Sequence, residues 1–260
     1  MQSHDHEHVN KDRFADSAGV PWQGRAFSEN PFANDDGSAR PELIEALNDF
    51  QSTGNASQVF IEFSKSRLLI PLLADLGKSG EGAFGQTVDK SADLSIVTVE
   101  TPDGQTGLPV FSCVETMQRW NSTARPVPSD AIRVALAAAS EGNTRIVLDP
   151  GSSTEFAFRR NAIAALAQQK TWVPPQFDER VIAAIDEGVS AEEPIEGIGV
   201  GTADPLSRLA GAEVKIELQV KRGLAKDELE QVLHRITSNW AANEVIASSI
   251  DSMTLVIRPV

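Results

Sequence analysis

The sequence predicts an α+β protein, a mixed β-sheet of about five strands flanked by helices and followed by a small C-terminal β-α-β domain. Three stretches predict it. In Thr106–Trp120 (TGLPVFSCVETMQRW), Leu108, Val110 and Ser112 alternate with Pro109, Phe111 and Cys113. That is strand spacing, apolar on both faces, as in a strand covered from two sides. From Val114 the spacing becomes helical, with Met117 and Trp120 three apart, so a buried strand feeds a short helix whose Trp folds back on the sheet. Next, Leu94–Val99 and Leu108–Cys113 flank the turn signal Pro102-Asp103-Gly104, which predicts an antiparallel hairpin. Finally, Val214, Ile216, Leu218 and Val220 alternate with polar residues, a helical stripe of Leu229, Val232, Leu233, Ile236 and Trp240 follows, and Met253, Leu255 and Ile257 alternate again.

Composition narrows the function. Lys and Arg number 23 against 37 Asp and Glu, a formal charge of -14. Such a surface repels phosphate backbones and anionic membranes, so neither nucleic acid nor membrane is expected as a partner, and another protein is. Cys113 is the single cysteine, which excludes an intramolecular disulfide and an all-cysteine metal site. No basic patch followed by an apolar run marks a secretory signal, and the longest apolar runs, Arg67–Leu76 and Ala131–Ala139, are too short to span a bilayer. The expectation is a soluble, cytoplasmic protein.

In chain order, residues 1–40 read as an extended N-terminal arm. His4, His6 and His8 alternate in it, a pattern that could hold a metal but that on a flexible end reads as solvated imidazoles, so no metal site is assigned. Trp22, Phe27 and Phe32 are aromatics a disordered tail seldom carries, and they predict that Val20–Phe32 lies extended on the folded domain. Residues 41–170 read as the main domain. Pro41 opens an amphipathic helix through Leu43, Ile44, Leu47 and Phe50 that should end near Gly54. Ser57–Ser64 is ambiguous and is read as a short helix; Arg67–Leu73 is a buried strand in which Pro71 requires an edge or a bulge. Lys78–Ala92 contains GEGAFG, but no helix pattern follows it, so it is read as a surface loop and not a phosphate cradle. Ala124–Pro128 is extended. Ser129 and Asp130 cap a helix with Ile132, Ala135, Leu136 and Ala139 inward. Ile146–Leu148 is a strand, Asp149–Ser153 a type II turn, Phe156 and Phe158 lie on one face of the returning strand, and Arg159–Gln169 is a helix with Ile163 and Leu166 inward. Residues 171–211 read as an acidic connector with a helix at Phe177–Glu187 and a partly ordered strand near Ile195–Val200, and residues 212–260 as the β-α-β domain.

Several of these segments together resemble the SseB family (enhanced serine sensitivity protein B) in its actinobacterial form. They are Ala15–Trp22, Arg67–Pro71, the strand-helix Leu108–Trp120, Pro126–Pro128 and Leu148–Ser152, with Glu213–Arg258 similar to the C-terminal part of such proteins. These are packing and turn motifs. The resemblance implies a tie to serine or sulfur metabolism through the family's name, and it implies no catalytic residue and no cofactor.

No catalytic set assembles in the sequence. Cys113 ends a buried strand without a nearby histidine and reads as a small buried hydrophobe. His234 sits one residue off its helix's apolar stripe and reads as exposed, and no Gly-x-Ser-x-Gly occurs. Cations are scarce enough to single out Arg67, Arg125, Arg159 and Arg160, each beside a strand or turn. Were Arg125 to converge on the Asp149–Ser153 turn, the two could receive a carboxylate-bearing ligand or an acidic peptide; structural ion pairing is the plainer alternative. The candidate ligand-binding residues are Arg67, Trp120, Arg125, Asp149, Ser152 and Arg160. The leading functional expectation is a non-enzymatic binding or adaptor protein, followed by an amino-acid or other small-molecule sensor, and last by an enzyme of unforeseen mechanism.

Overall fold

The structure, a computed structural model, describes residues 31–75 and 93–260. The His4/His6/His8 pattern, the arm through residue 30 and the Lys78–Ala92 loop lie outside the described residues. Residues 1–35 form a unit of their own, whose described part is a turn with the Asp35 N–H donating to the Phe32 carbonyl at 3.1 Å. Residues 36–260 form one compact unit.

Helix α1 (Pro41–Thr53) begins at the expected proline, buries Leu43, Ala46, Leu47 and Phe50, and ends at Gly54, whose φ of +67° lets its N–H turn back to the Phe50 carbonyl. The ambiguous segment is helix α2 (Ala56–Ser64), capped by the Asn55 side chain accepting from the Gln58 N–H. Strand β1 (Arg67–Asp75) is the middle of a three-stranded antiparallel sheet between β2 (Asp93–Ile96) and β5 (Arg125–Asp130).

Pro71 therefore sits in a central strand, not at an edge or bulge. It is tolerated because its missing donor faces a gap. Leu69, two residues earlier and aimed the same way, exchanges both backbone hydrogen bonds with Phe111 at 2.9 Å, and the β2 ladder starts only at Leu72.

A second sheet has the order β3 (Val99–Glu100), β4 (Thr106–Val110), β6 (Arg145–Leu148), β7 (Phe156–Phe158), with β4 and β6 parallel and the outer pairs antiparallel. The α+β class holds, but the expected five-stranded sheet is two smaller ones joined at the Leu69–Phe111 bridge. The expected Leu94–Val99 strand accordingly breaks: its first part pairs with β1, and only Val99–Glu100 pairs across the Thr101–Gln105 turn.

Between the strands run α3 (Val114–Trp120), α4 (Ala131–Ser140) and α5 (Arg160–Ala167). Helix α4 is capped by Asp130 accepting from the Arg133 N–H, and it buries Ala131, Val134, Ala135 and Ala138. That face is rotated from the expected one. Small residues let α4 lie close to the sheet, and the bulkier Leu136 is left 55% exposed. Helix α5 buries Ile163 and Leu166 as expected.

The C-terminal part has its own core. Helix α6 (Glu179–Val189), β8 (Ile195–Gly201), β9 (Val214–Val220), α7 (Lys226–Ala242), α8 (Glu244–Ser249) and β10 (Met253–Pro259) build it around a sheet of order β10-β9-β8. Strands β9 and β10 are parallel, as a β-α-β unit requires, and β8 adds antiparallel. Val181, Ala184, Ile185 and Val189 of α6 pack in the same cluster as Val214, Ile216, Val232 and Trp240. The helix and strand expected in a connector are thus structural parts of this core. On the sheet's outer face Arg258 and Lys215 both bond Glu217 and hold its carboxyl down to about 2.

Candidate functional site

The six candidate residues do not form one site. Asp149 is fully buried at the end of β6, where it accepts hydrogen bonds from the Ser112 N–H (2.8 Å), the Ser112 hydroxyl (2.7 Å) and the Thr154 hydroxyl (3.0 Å). Burial pushes its carboxyl up, against the pull of those three donors. Ser152 shares a hydroxyl contact with Thr154 at 3.0 Å inside the same turn, which Gly151 closes at φ +75°. Arg67 donates to the backbone carbonyls of Ser112 (3.0 Å) and Ser38. Trp120 packs on Phe111 with ring centroids 5.3 Å apart. Arg67, Asp149 and Ser152 are therefore brought together as the scaffold of the β4–α3 junction. Arg125 is exposed on β5, opposite Leu72, and it is Arg208 that reaches the Ser152 carbonyl, at 3.4 Å. Arg160 lies elsewhere, on the rim of a different cleft.

That cleft, of about 550 Å³, opens between the β3–β4 turn, the start of β6, the start of α5 and the loops before β9 and β10. Two buried arginines form its floor. Arg145 donates to Asp103 (2.8 Å) and, through both terminal nitrogens, to Asp251 (3.1 and 2.8 Å). Arg159 donates to Asp204 (2.8 Å) and to the Gly211 carbonyl (2.6 Å). Burial raises the Asp103 carboxyl, and hydrogen bonds from Thr101 and Arg145 outweigh it, so its pKa lies below normal. Beside the cluster Glu213 accepts from the Asp251 N–H (2.6 Å) and from Asn161 (3.1 Å), with burial pushing its carboxyl up. The guanidinium forks are taken up by carboxylates, which is the form in which buried arginines are stable. Arg160, exposed at the start of α5, has no ion pair among the described residues.

A groove of about 470 Å³ lies on the opposite character of surface, between α2, α4, the end of α5 and residues 169–173. Phe60, Ile61, Ile132, Leu166, Trp172 and Val173 line it, with Ile61 40% and Val173 46% exposed. Its described lining holds Lys170 and no acid. Phe60 and Trp172 stack tilted at 5.4 Å, and the Trp172 indole nitrogen is buried without a hydrogen-bond acceptor among the described residues.

Residues 43–165 match the family model of the SseB protein N-terminal domain. The chain carries an SseB-family N-terminal domain. In this SseB-like chain the match runs from α1 to α5 and spans both N-terminal sheets, while the C-terminal core lies beyond it. No curated protein and no solved structure shows a significant match. The apolar groove is walled by the SseB domain on one side and by residues following it on the other, and the arginine cleft likewise joins Arg145 and Arg159 of the SseB domain to Asp204 and Asp251 outside it.

Cys113 is half-buried, not fully buried, with its sulfur 3.1 Å from the Thr116 hydroxyl at the start of α3. His234 is exposed on α7 as expected, and no hydroxyl or thiol among the described residues bonds its ring. Among the described residues no group of three His, Cys, Asp or Glu is placed to hold a metal, and no helix is long and apolar enough to cross a membrane. Sequence reasoning did not single out Arg145, Asp204 or Asp251, and it took Asp103 only as part of a turn. The one available signal was Arg145 opening the apolar run RIVL, where a buried charge demands a partner.

Proposed function

We propose that this SseB-like chain is a non-catalytic binding protein whose recognition surface is the groove between α2, α4 and residues 169–173. The carrying observation is the groove's chemistry. In a chain of charge -14 its described lining is mostly apolar and acid-free, with Ser57, Ser64, Gln169 and Thr171 as its neutral polar members, one lysine, and a buried indole N–H that has no acceptor among the described residues. A few hundred cubic ångströms admit two or three side chains, so the occupant is an amphipathic segment of another protein that carries apolar anchors and an acidic residue for Lys170.

Selection from a random phage-displayed peptide library tests this. The selected peptides should combine apolar anchors with an acid. Ile61→Asp should weaken them by tenfold or more, on the order of the >1 kcal/mol expected of an interface anchor, and Lys170→Glu should weaken them as well. Ile61 is partly exposed, so the variant should melt near the parent. Peptides that bind Ile61→Asp as well as the parent, or no selected peptides, overturn the proposal.

A second reading rests on Arg160, which faces the arginine cleft without an ion pair among the described residues. It makes the protein a sensor of a small carboxylate such as an amino acid, tied to serine or sulfur metabolism. A saturable thermal shift with serine, near 2.7 kcal/mol at about 100 times the dissociation constant and lost in Arg160→Ala, would favour it over the groove.

A further inference from the structure

Most strand edges in this chain are blunted. The outer strand β5 carries Pro126 and Pro128, β8 has a bulge and glycines at 197, 199 and 201, β3 has two residues, and β7 has three with Ala157 already bonded to the Ser207 carbonyl. Strand β10 differs. It is seven residues long, pairs with β9 in unbroken register, and has a second edge that no described strand covers.

The hydrogen bonds fix what that edge presents. The Ser252 carbonyl accepts from Val214 and the Val260 N–H donates to Val220, so even-numbered residues of β10 point their backbone at β9. The backbone groups of Met253, Leu255 and Ile257 therefore point outward. Pro259, also outward, has no N–H to leave unpaired. By register Met253, Leu255, Ile257 and Pro259 lie on the same face as Val214, Ile216, Leu218 and Val220, the face packed under the helices. Met253 and Ile257 are each 39% exposed there. The strand MTLVIRP contains no acid, in a chain whose surface is otherwise strongly acidic.

We propose that β10 is the docking edge for a second copy of this chain, strand against antiparallel strand, across a two-fold axis at Leu255. In that register Leu255 meets its own copy, Met253 meets Ile257, and the three outward residues of each strand exchange both backbone bonds. Arg258 falls opposite Ser252, so no like charges meet. The two ends of the strand are also complementary in shape. A mostly apolar hollow of about 300 Å³, lined by Trp240, Ala241, Ile246, Ala247, Ile250 and Met253 with Thr237, Asp251 and Ser252 among them, lies at the start of β10. The two-fold axis brings Ile257 and Pro259 of the second copy over it. A self-complementary edge of this kind closes as a dimer and does not propagate.

The test is the mass of the full chain in solution, by light scattering after gel filtration, across micromolar to millimolar concentration. The expected result is twice the 28.0 kDa of one chain. Ile257→Lys should weaken association by about tenfold or more with unchanged circular dichroism. Register is read by cysteine pairs in a Cys113→Ala background. Leu255→Cys should cross-link to itself, since hydrogen-bonded partners sit about 5.5 Å apart, within disulfide reach. Met253→Cys combined with Ile257→Cys should link two chains, because within one chain these positions are about 13 Å apart along the strand. Neither single cysteine of that pair should cross-link. A monomer at every concentration, a dimer untouched by Ile257→Lys, or a dimer without these cross-links overturns the proposal.

Discussion

Asp149 shows how a residue can be read correctly by position and wrongly by role. The sequence places it at the head of a Pro-Gly turn, where Asp is at home and where a φ of +49° is accessible to it. A carboxylate in a turn suggests a ligand contact. Instead it is fully buried and ties the β6–β7 turn to Ser112 of the neighbouring segment through two hydrogen bonds, while a third, from the Thr154 hydroxyl, closes the turn itself. Asp149→Ala strands those donors. With about 1–3 kcal/mol for each buried donor left unpaired and some relief from rotating hydroxyls, the expected loss is on the order of 3 kcal/mol in urea denaturation. Asp149→Asn keeps a carbonyl acceptor and suits positive φ, so it should lose clearly less. An equal loss in both would mean that the charge, not the hydrogen bonding, holds the turn.

At the scale of elements, hydrophobic period placed helices well but not the contacts between them. The α7 stripe ending in Trp240 is legible, yet its partner is not. Trp240 lies against α6, donates its indole N–H to the Ile185 carbonyl at 3.0 Å, and packs where a Cβ on Gly188 would overlap its ring. Gly188 is thus a packing requirement inside a helix. Gly188→Ala gains at most about 1 kcal/mol of helix propensity, while forcing the indole aside costs about 1–3 kcal/mol. The net expectation is destabilisation with a changed tryptophan emission. A stabilised variant would show that the indole shifts freely.

At the scale of the molecule, two hydrophobic cores are joined by the Arg145–Arg159 cluster, which spans residues from 103 to 251. Two buried guanidinium groups there hold the SseB-family domain to the C-terminal core. Arg145→Ala leaves Asp251 and Asp103 without their main cation and should cost about 3–5 kcal/mol. Replacing Arg145 with Met and Asp251 with Leu together should cost less than the sum of the single changes, since neither charge is then buried alone. Calorimetry of Arg145→Ala should show a broadened or split transition as the two cores uncouple. A sharp single transition near the parental temperature would place the coupling elsewhere.

The α+β class, most helix and strand positions and the β-α-β order of the tail are legible in the residues alone, because side-chain periods of 2 and 3.6, caps and turn residues act over a few neighbours. The residues also carry the SseB resemblance, since Pro and Gly turn motifs are local. Long-range packing settles the rest: the strands divide into separate sheets, α4 buries its alanines and leaves Leu136 out, residues 179–201 complete the C-terminal core, and Arg145 pairs with Asp251. Each of these depends on which distant segments compete for the same buried space and the same hydrogen bonds. A charge in an apolar strand announces that it needs a partner; the fold alone chooses which one.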